Sequence, residues 1–327
     1  LKTFKSFEEV LYTVNDWNFE DIALQLFRFQ VENNTVYHDF VTHLRRGPAN
    51  SLEEIPFLPI SFFKTHNVQT GTWIPETTFT SSGTTGQTAS RHLVKSSAWY
   101  LGHTERIFHQ FFGPLGNYHV LALLPSYMER EGSSLVAMAD YFIRKSSSVY
   151  SGFYLNNHDA LVTKLLELKS SDKKVLLLGV TFALLDLAET YAVDLSHCLI
   201  METGGMKGKR PELTREEVHR YLCSRFNVPS ILSEYGMTEL LSQAYSFGRG
   251  RFLAPPAMKV VIRDINDPFD RVGMGKTGAI NVIDLANIYS CAFIETQDLG
   301  KTHQDGSFEV LGRMDNSDVR GCNLLVE

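Results

Sequence analysis

The stretch that most restricts the fold of this chain runs from His119 to Gly236. Four short apolar runs, "HVLALLP", "VLLLGV", "CLIMETGG" and "SILSEYG", alternate with segments of helical texture, "SSLVAMADYFIRKS", "FALLDLAETYA" and "PELTREEVHRYLCSRF". A strand covered on both faces loses its in–out alternation and reads as a continuous apolar run. Strand–helix alternation of this kind predicts an α/β fold with a mainly parallel, helix-covered sheet. Such sheets bind ligands beyond the carboxyl ends of their strands. The polar, glycine-bearing motifs sit there: "PSYMERE" after the first run, "TGGMKG" after the third and "YGMTE" after the fourth.

The flanks have a different texture. Residues 1–56 read as a helical N-terminal part, with a capping box expected from Ser6 to Glu9 and with Phe19, Ile22, Ala23, Leu26 and Phe27 on one helical face. A second capping box is expected from Thr214 to Glu217. Residues 57–256 form the α/β core. Residues 257–312 read as a β-rich subdomain, "MKVVIRD", "GAINVIDL" and "FEVLGR", with a hairpin turn at Asp305-Gly306. Residues 313–327 form a hinge and a C-terminal arm. At roughly 100–200 residues per domain, 327 residues make two domains or one large α/β body with an appendage.

Composition narrows the function. The net charge of −6 supplies no general field for nucleic acid or an anionic membrane. No run of ~18 apolar residues is present, so no spanning helix is expected. The four cysteines, Cys198, Cys223, Cys291 and Cys322, show neither a C-x-x-C pair nor zinc spacing. Cys198 and Cys291 sit in apolar stretches and read as small buried hydrophobes, and Cys223 lies on a helix face that reads as core. A reducing, cytoplasmic location fits.

Between the β-like segments "GTWIPETTFT" and "RHLVKS" lies the loop "TSSGTTG". From Thr80 to Gly86 it holds five hydroxyl residues and two glycines. Glycines let backbone N–H groups approach an anion, and hydroxyls add adaptable donors. Phosphate holding and a plain solvated loop are both open readings of such a run. It is not a Walker A loop, since no Lys follows Gly86, and it lacks the G-x-S-x-G order of a nucleophile elbow.

The loop resembles the signature of the adenylate-forming superfamily: acyl- and aryl-CoA ligases, luciferases and peptide-synthetase adenylation domains. That resemblance implies phosphate contacts from Ser81, Ser82, Gly83, Thr84, Thr85 and Gly86. The family continues with Pro and Lys; here "QTASR" stands in their place, so Arg91 would supply the cation. "EYGMTE" is similar to the family's Tyr-Gly-x-Thr-Glu motif. It implies that Tyr235 stacks on adenine, that Gly236 belongs to the nucleotide site, that Thr238 bonds the α-phosphate and that Glu239 holds Mg²⁺. Gly204 and Gly205 in "METGGMKGKR" resemble the glycine pair at the adenine edge; Lys207, Lys209 and Arg210 beside them equally read as a solvated turn. "ETQDLG" resembles Thr-Gly-Asp, with Gln297 in place of Gly, and implies that Asp298 binds the ribose. "GRMDNSD" resembles the hinge motif, with Arg313 on the nucleotide and Asp315 at the pivot.

Most of the superfamily carries a further domain after the hinge. The short chain, "LLPSYMEREGSSLVAM", "METGGMKG" and Cys322 near the end resemble the LuxE-type acyl-protein synthetases. That resemblance implies an ATP- and Mg²⁺-dependent activation of a carboxylic, fatty acid as acyl-AMP. Transfer to Cys322 and delivery to a reductase partner would come next. Arg320 could lower the Cys322 thiol pKa; the alternative is a small apolar residue in a terminal strand. Two other readings stay open: a phenylacetate-type CoA ligase cut short before its C-terminal domain, and a degenerate non-catalytic homologue. His92 reads either as a phosphate contact or as structural, and Glu129 with Arg130 either as a salt bridge shaping the acyl pocket or as catalytic.

Overall fold

The computed structural model describes residues 1–45, 48–81, 88–124, 132–155, 157–204 and 213–314. Three helices open the chain: α1 (Phe4–Leu11), α2 (Phe19–Asn33) and α3 (Thr35–His43). The first begins earlier than the Ser6–Glu9 pattern predicts. Thr3 is the N-cap and Ser6 is its reciprocal partner, because starting there puts Phe7 and Leu11, four apart, into the core. Helix α2 buries the five predicted residues together with Leu24 and Gln30. Gln30 has no solvent exposure. Its amide donates to the Asn287 carbonyl (2.8 Å) and accepts from the Ala292 N–H (2.9 Å), which pins the helical cap to the sheet.

Strand β1 (Leu58–Pro59) and the short helix α4 (Phe62–Thr65) lead into the hairpin β2 (Thr77–Thr80) and β3 (Arg91–Val94), which flanks the hydroxyl loop as expected. Helix α5 (Ser97–Phe112), capped by Ser96, then carries the chain to β4 (Tyr118–Leu123). Helices and strands alternate from there: α6 (Ser134–Lys145), β5 (Gly152–Phe153), α7 (His158–Glu167), β6 (Lys174–Val180), α8 (Thr181–Thr190), β7 (Cys198–Thr203), α9 (Arg215–Phe226) and β8 (Leu232–Tyr235). Strands β5, β4, β6, β7 and β8 lie side by side, all parallel. Every residue of β4 and β8 is buried. The Thr214–Glu217 capping box of α9 is present in both directions. Gly179 makes room where β6 meets α8: a β-carbon there would stand 2.8 Å from the Leu184 Cγ.

The β-rich part continues the same sheet. Strand β9 (Ala244–Ser246) pairs antiparallel with β8; beyond it lie β10 (Arg251–Leu253), β14 (Phe308–Arg313), β13 (Phe293–Thr302), β12 (Gly278–Asp284) and β11 (Met258–Arg263). Among the described residues the parallel and antiparallel parts therefore share one mixed sheet of 12 strands, with β1 attached to β13. Asp305-Gly306 turns the β13–β14 hairpin: Gly306 sits at φ +78°, and the Asp305 carboxylate accepts from the Ser307 N–H and hydroxyl. Among the described residues, no helix is long and apolar enough to cross a membrane.

Candidate active site

The carboxyl ends of β6, β7 and β8 open onto a cavity of ≈ 1810 Å³. Its wall includes Ser81, Gly204, Tyr235, Gly236, Thr238, Glu239, Asp298 and Arg313. Five separated stretches of sequence thus meet at one place. Ser82, Gly83, Thr84, Thr85, Gly86, Gly205 and Cys322 lie outside the described residues. So do Glu129, Arg130, Lys207, Lys209, Arg210, Asp315 and Arg320.

Strand β8 ends at Tyr235, and the chain turns through Thr238 and Glu239. Gly236 permits the turn, since a β-carbon there would collide with the Glu234 carboxyl oxygen. Two side chains hold the turn by its carbonyls. The buried His92 ring pairs its Nδ1 with the Thr238 carbonyl at 2.7 Å, and Asn287 donates to the Glu239 carbonyl at 2.8 Å. Asp284 fixes the backbone just beyond the turn, accepting from the Leu241 and Ser242 N–H groups at 2.8 and 2.9 Å. His92 is therefore structural: burial lowers its pKa to about 4, so the ring is neutral and donates. Glu239 as a residue is only 4% exposed. Burial raises its pKa, while a hydrogen bond from Ser90, its own backbone and the charges of Arg313 and Lys64 pull it down.

The antiparallel strands supply the other side. The β13–β14 register sets Asp298 opposite Arg313. Asp298 accepts from the Tyr235 hydroxyl at 2.9 Å, and Arg313 stands 3.6 Å from its other oxygen. Burial raises the Asp298 pKa against the Arg313 charge and the Tyr235 hydrogen bond. The Tyr235 ring packs edge-on against Phe252 and Phe308 at 5.9 and 5.6 Å. Arg313 itself is 83% exposed and free to contact a ligand.

The same cavity is lined by a buried carboxylate pair, Glu202 and Glu234, that sequence reasoning missed. Glu202 on β7 takes a hydrogen bond from Thr181 (2.7 Å) and stands 3.3 Å from Arg215 and 3.5 Å from His219. Burial would raise its pKa, but these partners outweigh burial and lower it. Among the described residues Glu234 on β8 receives only the Thr203 hydroxyl, and burial, with the nearby Glu202 charge, lifts it to about 7. The signal was available: Glu202 and Glu234 interrupt runs that are otherwise apolar.

Two expectations about side chains need correction. Arg91 does not enter the cavity. Strand β3 alternates, so Ser90 and His92 point inward while Arg91 is exposed and donates to the Asn67 side chain at 3.0 Å. Cys223 is half-buried rather than core and lines the cavity. Cys198 and Cys291 are buried, and burial pushes both thiols up to about 12.

The fold matches that of known ligases. An open conformation of 2-hydroxyisobutyryl-CoA ligase in complex with 2-HIB-AMP and CoA superposes with a TM-score of 0.65 at 13% identity, covering 90% of this chain and 74% of that one. ATP-bound MatB from Rhodopseudomonas palustris superposes with a TM-score of 0.54 at 20% identity, over 72% of this chain and 47% of that one. A malonyl-CoA ligase ternary product complex with methylmalonyl-CoA and AMP gives 0.51 at 17% identity, over 73% and 53%. The chain thus spans about half the length of MatB. At these identities the likeness is one of fold, an α/β adenylate-forming-ligase fold. No curated protein matches the sequence. The family described as "Acyl-protein synthetase, LuxE" matches residues 14–327, almost the entire chain, and the chain belongs to that family.

Proposed function

We propose that this chain is an adenylate-forming ligase: it activates a carboxylic acid, most simply a fatty acid, with ATP, and passes the acyl group to Cys322. The observation that carries the reading is the convergence of Ser81, Gly204, Tyr235, Thr238, Glu239, Asp298 and Arg313 on one cavity at the strand ends. Family membership supports it, as do the fold neighbours bound to ATP, to 2-HIB-AMP with CoA and to AMP with methylmalonyl-CoA.

The chemistry rests on the groups present. A carboxylate is a poor electrophile. In the first step its oxygen attacks the α-phosphorus, the bond to the bridging oxygen breaks and pyrophosphate leaves. The Thr238 hydroxyl and the donors around Ser81 offset the charge that builds on the phosphate. Tyr235 and Asp298 would take the adenosine, with Asp298 accepting from the ribose hydroxyls. Glu239 suits Mg²⁺, which is usually held by one or two carboxylates together with substrate phosphates. A cation there would also relieve the cost of a buried carboxylate. Bound Mg²⁺ would neutralise phosphate charge.

In the second step the thiol gives its proton to solvent, the resulting thiolate attacks the acyl carbon, the acyl–oxygen bond breaks and AMP leaves. Cys198, Cys223 and Cys291 all have thiol pKa values raised by burial, so none of them is suited to that role. Cys322 would then hand the acyl group to a reductase partner.

The test is intact mass after incubation with ATP, Mg²⁺ and a panel of fatty and aromatic acids, for wild type and Cys322→Ser. A hydroxylamine-sensitive acyl adduct on wild type alone is expected. Pyrophosphate release without an adduct would move the acceptor to CoA. Absence of both release and ATP binding would sink the reading.

A further inference from the structure

A loop that gathers phosphate through hydroxyls and backbone N–H groups works best with a cation facing it. Strand β3 does not bring one, because Arg91 is turned outward to Asn67. We propose that Lys64, on the short helix α4, is the catalytic cation of this site and that its ammonium contacts the phosphate oxygens of ATP.

Four observations carry this. Lys64 lines the same cavity as Thr80, Ser81, Ser90 and Glu239. It is half-buried, and among the described residues its ammonium has no ion pair or hydrogen bond. An ammonium that lines the cavity without a fixed hydrogen-bond partner is available to an anion, and ATP is such an anion. Its positive charge is one of the influences that pull the Glu239 carboxyl pKa down, and both side chains line the same cavity.

The fourth observation is how firmly Lys64 is held. Strand β1 pairs with β13, and the Ile60 N–H donates to the Glu295 carbonyl at 2.9 Å, so α4 grows directly from the sheet. Phe63 is fully buried and meets the His92 ring edge-on at 5.7 Å. His92 in turn pairs with the Thr238 carbonyl. One packed chain, Phe63 to His92 to Thr238, therefore fixes Lys64, the hydroxyl hairpin and the Thr238–Glu239 turn relative to one another. A lysine reaches further than its backbone through a flexible stem, and its ammonium acts as a compact point charge on phosphate.

The inference rests on the ATP reading above, and the experiment separates the two. Mg·ATP binding is titrated by calorimetry without acid for wild type, Lys64→Gln, Lys64→Arg and Arg91→Gln, with melting temperatures and acid-dependent ATP–pyrophosphate exchange alongside. Loss of one charge-assisted contact predicts affinity weaker by about ten- to a hundredfold in Lys64→Gln. Lys64→Arg should recover part of it, Arg91→Gln should bind as wild type, and all should melt near wild type. Wild-type-like binding by Lys64→Gln would overturn the assignment while leaving the ATP reading intact. So would a loss confined to the KM for the acid, or a fall in melting temperature that Lys64→Arg does not restore. A wild type that binds no ATP would overturn both.

Discussion

The two halves of the sheet build the same cavity by different means. In the parallel half, the central strands β4, β6, β7 and β8 are almost wholly buried and the chemistry lies past the carboxyl ends, as β8 shows through Gly236 to Thr238 and Glu239. In the antiparallel half, β9 to β14, side chains reach the site from within the strands, and cross-strand register decides which residues meet. Asp298 and Arg313 face each other because β13 and β14 pair that way, across a bulge between Leu299 and Gly300. Chemistry at strand ends depends on a loop being held, here by His92, Asn287 and Asp284. Chemistry within strands depends on register, and a one-residue slip would turn Asp298 to the other face.

The largest expected effect tests this division. Glu239→Gln removes a preorganised charge where phosphate chemistry would occur, and should cut kcat for ATP–pyrophosphate exchange by about two orders of magnitude. Asp298→Asn should act mainly through a higher KM for ATP, since the group would bind the ribose and not the reacting phosphate. Equal falls in kcat for both variants would break the comparison.

A smaller effect should appear in stability. A β-carbon on Gly300 would collide with the Glu309 carbonyl of the neighbouring strand and stand 2.6 Å from the Ile280 Cδ1. On Gly179 it would meet the Leu184 side chain at 2.8 Å, which can move. Gly300→Ala should therefore cost about 1–3 kcal/mol, and Gly179→Ala less, read by denaturant unfolding. Because the clash at Gly300 lies on the β13–β14 pairing, Gly300→Ala should also weaken ATP binding. If Gly179→Ala proves the more damaging, register is not the sensitive element of the antiparallel half.

The same contrast explains what could be read from sequence. The parallel half was legible because doubly covered strands leave apolar runs, and the motifs come directly after those runs. Helix α5 was not, since buried His103 and Thr104 break its apolar period; the His103 Nε2 pairs with the Ser242 hydroxyl at 2.9 Å, a contact 139 residues away, while its Nδ1 is buried without a partner among the described residues. The bulge that aligns Asp298 with Arg313 leaves no local mark. Arg91 illustrates the limit most directly. It comes just after the phosphate-type loop in sequence, yet the two-residue period of β3 turns it away. Lys64 enters through α4, carried by a β1–β13 pairing between residues more than two hundred positions apart.

The subtlest expected effect lies inside the parallel half, at Glu202 and Glu234. Their strands are neighbours, and both carboxyls are buried, but only Glu202 has Arg215 and His219 beside it. Glu234 is lifted from the ordinary 4.5 to about 7, chiefly by burial and further by the Glu202 charge. A raised carboxyl pKa means that the folded chain keeps a proton that the unfolded chain has lost between those two values. The unfolded state then binds fewer protons, so stability falls as pH rises from about 4.5 to about 7 and levels off above. Glu202, held below its ordinary value, contributes in the opposite sense and only at more acid pH. Glu234→Gln stays neutral and lacks the Glu234 contribution. Its melting temperature should therefore gain on wild type as pH is raised through that window, and the difference should flatten above pH 7. Parallel melting curves for the two proteins would mean that Glu234 is ionised in the fold, and that the strand ends of the parallel half tolerate an unpaired buried charge.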